Sequence, residues 1–382
     1  MLKQSRLLFR VAVFLVLSHP ILPSFSAQTL EPLYRDNSGF RAVTISDGLE
    51  HPWALAFLPD GRMLVTERPG RLRLIEKGRL NPTPVSGLPE ITASGQGGLL
   101  DIVLHPDYRN NGWLYFSYVA FGKGGMGTRV ARARLDGLQL KELEVLFRMN
   151  IGSMTGHHFG SRLLFDRAGF LYITVGERGD RRRAQRLNDH AGSVIRLHDD
   201  GRIPSDNPFV DLPDAAPEIF SYGHRNPQGM ALHPQTGEVW LHEHGPQGGD
   251  ELNLLHAGQN YGWPVITYGV EYGIGTSIGE GTHKPGMAQP IYYWVPSIAP
   301  SGMSFYDGDR FPEWRGSLFI GSLKFRLLVR LELDHGEVVK EERLLRGVLG
   351  RIRDVRTGPD GLIYLLTDES NGRLVRLEPA GL

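Results

Sequence analysis

The segment LPDGRMLVTERPGRLRLIE (58–76) reads as turn, apolar strand, polar turn and a second strand carrying arginine. The phrase returns as HPDYRNNGWLYFSYV (105–119) with TRVARARLDG (128–137), and as FDRAGFLYITVGE (165–177) with AGSVIRLHDDG (191–201). It returns again as HPQTGEVWLHEHG (233–245) with DELNLL (250–255), as FPEWRGSLFIGS (311–322) with RLLVRLELDHG (326–336), and as GPDGLIYLLTDESNGRLVRLEP (358–379). A supersecondary unit repeated at such spacing stacks its copies side by side. Each unit holds strands only and leaves no room for an amphipathic crossover helix. Radial packing is the economical solution: an all-β chain, a β-propeller of six four-stranded antiparallel blades. Its chemistry is then expected at the mouth of the central channel, where loops from every blade converge. The runs LVTER, LYFSY, LYITV, VWLHE, LFIGS and IYLLT share the apolar register expected of innermost strands. FRAVTIS (40–46) alternates outside the six copies and is expected to close the ring by pairing with the last blade.

Composition agrees. The 382 residues are 41% hydrophobic and 22% charged, enough for a large core. The 48 glycines and 25 prolines are spread among aliphatic runs, as many tight turns require. Lys+Arg and Asp+Glu are equal at 42 each, so no bulk basic field recruits nucleic acid.

The N-terminus, MLKQSRLLFRVAVFLVLSHPILPSFSAQ, has a basic stretch (Lys3, Arg6, Arg10), an apolar stretch (11–17) and small residues Ser24, Ser26 and Ala27. That is the pattern of a secretory signal, expected over 1–27, with one propeller domain over 28–382. The apolar run falls short of the ~20 residues that span a bilayer, and Pro20 and Pro23 interrupt it, so stable membrane insertion is not expected. Export is expected instead, to the periplasm if the source is a Gram-negative bacterium. There is no cysteine, which removes disulfides and a lipidated cysteine from consideration.

Long irregular stretches at 80–100, 178–192, 202–230, 256–304 and 343–356 are where a site belongs, because loops on a rigid scaffold carry function. HHFGSRL (157–163) sets two histidines before a strand where a blade opens, and Glu177 leaves the same blade's first strand. A histidine beside a carboxylate is a general-base arrangement: neutral imidazole takes a proton and the carboxylate steadies the imidazolium. YGHRNPQG (222–229) gathers Arg225, Asn226 and Gln228 in one polar loop. RIRDVRTGPDG (351–361) puts Arg351 and Arg353 on one face if extended, with Lys324 as a third cation. Their partner is either Asp354 and other local carboxylates or a polyanionic small ligand. In HEHGPQGGDE (242–251), His242 and His244 share a strand face but lack a third zinc ligand. The Gly245 and Pro246 carbonyls, with Asp250 and Glu251 beyond, offer oxygen, which favours calcium or magnesium.

Together these motifs resemble the soluble pyrroloquinoline quinone (PQQ)-dependent glucose and aldose sugar dehydrogenases. H-x-x-x-R-L, G-H-R-N-P-Q-G, E-x-G-P then D-E, N-Y-G-W-P and R-x-R-D-V…P-D-G occur in family order over roughly 44–379. The resemblance implies a six-bladed propeller, the fold already reached from the repeats. It implies that His158 is the catalytic base and Glu177 its orienting carboxylate. Glucose dehydrogenases carry Asp there, so this chain looks nearer the aldose branch. It further implies Gln96 at the substrate pocket, Arg225 and Asn226 against the quinone with Gln228 beside them, and Lys324, Arg351 and Arg353 on its carboxylates. Gly245 and Pro246 would hold the cofactor's Ca²⁺ through their carbonyls, and Glu251 with the Tyr261 carbonyl a second, structural Ca²⁺. The implied activity is oxidation of the C1 hydroxyl of an aldose to a lactone, with an unidentified electron acceptor and a monomer or weak homodimer. The rival readings are a propeller hydrolase such as a lactonase, or a non-catalytic propeller that binds without chemistry.

Overall fold

The six apolar runs are strands: Met63–Glu67, Trp113–Gly122, Leu171–Val175, Val239–Glu243, Leu318–Ser322 and Ile363–Thr367. In this computed structural model, which describes residues 33–34 and 39–379, each is buried along essentially its whole length. They are not the innermost strands, however. Each is the second of its blade, sandwiched between neighbours on both sides, which is why it can be apolar on both faces.

The innermost strands are Pro52–Phe57, Leu99–Leu104, Leu163–Phe165, Pro227–Leu232, Pro300–Phe305 and Ile352–Thr357. They touch one another in sequence around the ring, the last meeting the first. Each leads a four-stranded antiparallel sheet, so the described residues form a six-bladed propeller. The sixth sheet closes as expected: Phe40–Leu49 pairs antiparallel with Gly372–Pro379, Phe40 opposite Pro379. A short strand, Leu33–Tyr34, adds in parallel to the outer edge of the fifth blade. Among the described residues, helical structure is confined to Tyr108–Asn111 and two 3-10 turns, Arg181–Gln185 and Pro312–Trp314. None of the described helices is long and apolar enough to cross a membrane. The 1–27 signal segment lies outside the described residues.

Apolar clusters fill the space between blades; one packs Val65, Ile75, Tyr306, Trp314, Ile352 and Leu365 together. The channel itself is plugged by charged side chains. Arg162 Nη1 donates to Asp101 (3.2 Å) and Asp354 (3.0 Å), and Arg356 reaches the same two carboxylates, each at 2.8 Å. Asp101 also accepts from the Leu163 amide and Asp354 from the Leu55 amide. The Arg162 guanidinium lies 4.3 Å from the Trp53 ring centroid. Four blades are thus tied at the axis through groups whose lone pairs are largely spent.

Candidate active site

The second strand of every blade runs toward one end of the channel, and there the next innermost strand begins. Six innermost-strand starts therefore converge on that end. Trp53, Leu100, Gly160, Asn226, Ala299 and Arg353, one from each blade, line a cavity of about 670 Å³ there. The turns leaving the second strands complete its wall with Arg68, His244, Lys324 and Asp368, and the loop before Leu99–Leu104 adds Gln96. Gly245 and Pro246 line it as well. A volume of this size suits a small-molecule ligand.

A second, smaller cavity of about 280 Å³ adjoins the first, sharing Pro246 and Tyr272 with it. His158 and Glu177 face this one. The His158 ring Nδ1 lies 2.6 Å from Glu177 Oε2, which also accepts from the Gly179 amide at 2.9 Å. The base loop is held from the other side: the His158 amide donates to Gln96 Oε1 (2.9 Å), and the Gln96 amide to the Gly156 carbonyl (2.7 Å). His158, Ser161 and Arg178 all have left-handed backbones (φ +57°, +78° and +59°). Non-glycine residues there store strain that the surroundings must hold in place. Arg178 supplies part of that hold; it is buried, donates to the carbonyls of Thr155 and His157, and sits 3.4 Å over the Phe159 ring.

Burial pushes the His158 imidazole below its ordinary value, only partly countered by Glu177. Burial pushes the Glu177 carboxyl up, but the His158 hydrogen bond and charge, the Gly179 amide and Arg225 more than offset this and leave it lowered. Glu177 is therefore an acceptor, Nδ1 carries the ring hydrogen, and Nε2 keeps its lone pair. His157, the other member of the pair, is exposed, its ring 4.6 Å from that of His158.

The cations group as the spacing suggests, but with a different acid. Arg353 Nη2 donates to Asp368 Oδ2 at 2.8 Å and Arg351 approaches the same oxygen at 3.5 Å; Asp354 belongs to the axial plug instead. Arg353 also reaches Gln228 Oε1 (3.4 Å). Lys324 is exposed on the cavity wall. Asn226 Oδ1 accepts from the Gly160 amide (3.2 Å) and from Gln228 (3.3 Å). Arg225 is buried, and its Nη1 donates to the Gly245 carbonyl at 2.7 Å. Two guanidinium nitrogens here, Arg225 Nε and Arg353 Nε, are buried without a partner. Such orphans are costly unless something else supplies an acceptor.

Glu251 and Tyr261 line neither cavity; their shared neighbour is Glu243. Burial, then the Glu243 charge, raises the Glu251 carboxyl well above the usual range. Among the described residues no three His, Cys, Asp or Glu side chains are spaced to hold a metal. Trp53, Arg68, His244, Tyr272, Arg326 and Asp368 line the large cavity and were not singled out for it by sequence reasoning. A usable signal existed: Arg68, Glu177, His244, Lys324 and Asp368 each follow a second strand by one or two residues.

Comparison with known proteins agrees with this architecture. The chain is 46% identical over 340 residues to aldose sugar dehydrogenase YliI of Escherichia coli, covering 88% of this chain and 92% of that protein. It is 27% identical over 450 residues to quinoprotein glucose dehydrogenase B of Acinetobacter calcoaceticus, covering 95% and 93%, so it stands nearer the aldose enzyme. The apo crystal structure of the soluble E. coli aldose sugar dehydrogenase superimposes with a TM-score of 0.86 at 45% identity, covering 89% of this chain and 99% of that one. The PQQ-bound aldose sugar dehydrogenase of Streptomyces coelicolor superimposes with a TM-score of 0.74 at 28% identity, covering 89% and 98%. The sequence model of the glucose/sorbosone dehydrogenase family matches residues 49–376, and the chain belongs to that family of sugar oxidoreductases.

Proposed function

We propose that this chain is an exported, PQQ- and Ca²⁺-dependent dehydrogenase that oxidises the C1 hydroxyl of aldoses to lactones and passes the electrons to a separate acceptor. The observation that carries the reading is the His158–Glu177 pair, 2.6 Å apart, opening beside a cavity walled by cations.

PQQ is a planar ortho-quinone bearing three carboxylates, and the cavity suits it. Lys324, Arg326, Arg351, Arg353 and Arg68 face the cavity, against the single carboxylate of Asp368. The unpartnered Arg225 and Arg353 nitrogens point to an acceptor supplied from outside the chain. Arg351, Arg353 and Lys324 would hold the carboxylates, and Asn226 and Arg225 the quinone edge. The Gly245 and Pro246 carbonyls suit a hard cation, but Gly245 already accepts from Arg225. A carbonyl oxygen has two lone pairs, so Gly245 would still offer one to the ion beside Arg225. Glu251, a half-buried acid with Glu243 beside it, is a suitable charge for a second, structural Ca²⁺ together with the Tyr261 carbonyl. Bound there, PQQ supplies the hydride acceptor and Ca²⁺ polarises its carbonyl.

The protein's own part is proton transfer and positioning. His158 Nε2 takes the C1 hydroxyl proton as hydride leaves the same carbon, and the carboxylate of Glu177 stabilises the imidazolium that forms. Gln96 spends its side-chain carbonyl on the His158 amide, which leaves its NH₂ to donate to the sugar. The test is to add PQQ and Ca²⁺ to the purified protein and scan aldoses with an artificial electron acceptor. Dye reduction that depends on both additions is expected. Full activity with NAD and no quinone would overturn the assignment.

A further inference from the structure

The smaller cavity is lined both by the His158–Glu177 pair and by a second pair, Arg181 and Glu271, which form an ion pair. Arg181 Nη1 and Nη2 meet Glu271 Oε1 and Oε2 at 2.5 and 3.1 Å, a two-pronged contact. Arg181 stands in the 3-10 turn just after Glu177, whereas Glu271 stands on the fourth blade's long loop, bridged to Gln247 through Val270. The pair thus joins two blades across the pocket. Trp263 braces it: Arg181 lies 5.6 Å from that ring and Arg225 5.3 Å. The pair is nonetheless open to the pocket and to water, its side chains 43% and 30% exposed. Each carboxylate oxygen keeps a second lone pair. Tyr272, next in the chain, is 64% exposed at the boundary of the two cavities and offers an aromatic face.

We infer that the Arg181–Glu271 pair is the specificity-determining contact for the hydroxyls of the sugar remote from C1, with Tyr272 against the ring's C–H face. The inference rests on the proposed function, because it places C1 at His158. A pyranose anchored there has its far hydroxyls in the part of the pocket the pair walls. A guanidinium and a carboxylate side by side donate to and accept from neighbouring hydroxyls, which an isolated cation cannot do.

The test uses the holoenzyme and two variants, Arg181→Ala and Glu271→Ala. Each should raise KM for D-glucose by roughly 10- to 100-fold, the usual worth of a hydrogen bond to a charged group, with a much smaller change in kcat. The same penalty should appear as weaker calorimetric binding of 1-deoxy-D-glucose, which lacks the reacting hydroxyl and does not turn over. Across the singly deoxygenated glucoses, the penalty should vanish for at least one, the sugar lacking the hydroxyl that is read. A rim ion pair with a purely structural role would lower the melting temperature and penalise every sugar alike; that result, or unchanged KM and binding, overturns the inference while leaving the dehydrogenase reading intact. A wild-type holoenzyme that oxidises no aldose would remove the reading underneath it instead.

Discussion

Arg353 and Arg356 stand on the same innermost strand, Ile352–Thr357, and meet different fates. Arg356 points into the axial plug, bonded to Asp101 and Asp354, which Arg162 also holds. Arg353 points to the mouth, where Asp368 serves it and Arg351 together and its Nε has no partner. Both are half-buried arginines beside aspartate, so residue type and spacing alone do not separate them. The balance of partners does. In the plug two arginines meet two aspartates; at the mouth several cations share one. The first balances its charges, although Arg162 Nη2 is itself buried without a partner, and the second carries a surplus of positive charge suited to an anionic ligand.

Breaking the plug should cost most. Asp354→Ala leaves Arg162 and Arg356 with one aspartate between them, and unfolding in denaturant should show a loss of about 3–5 kcal/mol. Arg353→Ala should cost far less in the same melt; the opposite ranking would mean that the mouth, too, is structural.

At the dyad, His158→Ala should lower kcat by roughly 10²–10⁴-fold while PQQ binding stays nearly intact. His157→Ala should do much less, because that ring is exposed and Glu177 bonds its neighbour. Reversed effects would assign the base to the wrong member of the pair.

The mouth can be weighed directly by titrating apo protein with PQQ. Arg353→Ala should weaken binding by about 1.5–3 kcal/mol. Arg353→Lys should recover only part, because the two-pronged fork is gone. An unchanged dissociation constant beside a lowered melting temperature would place Arg353 with the plug.

The smallest effect is in pH. His158 must be neutral to accept a proton, and burial lowers its value. Activity should therefore fall on the acid side with a midpoint below the ordinary imidazole value of about 6.5. Glu177 raises that value, so Glu177→Gln should move the limb to still lower pH as well as slow turnover. His244, lowered to about 3 by burial, lies too low to produce this limb. A limb above the ordinary imidazole value would show that His158 is not the titrating base.

The same contrast explains what the sequence made legible. The second strands announced themselves because they are packed on both sides and therefore apolar throughout. The innermost strands did not. Pro227, Gly229, Pro300, Gly302, Arg353 and Asp354 break any alternation in them, since one face lines a polar axis. An apolar register therefore marks the second strand of each blade rather than the innermost one. The closing strand at 40–46 was legible because it alternates well enough to read as a strand outside the six copies. The dyad, the polar loop and the cations were legible as local motifs; Asp368 was not, because its meaning depends on Arg353, brought to it only by the pairing of adjacent strands in the sixth blade.

The sixth blade takes its outer strand from one end of the described chain and its other three from the opposite end. Phe40 and Pro379 lie side by side, so the order that packing enforces is circular, and the linear start is only a place where the circle was cut. A permuted chain, joined between 379 and 40 and opened at an outer turn of another blade, would keep every sheet. In the natural chain the ring is sealed by its most distant pairing, so the mouth gains its full set of walls only when the last blade is in place.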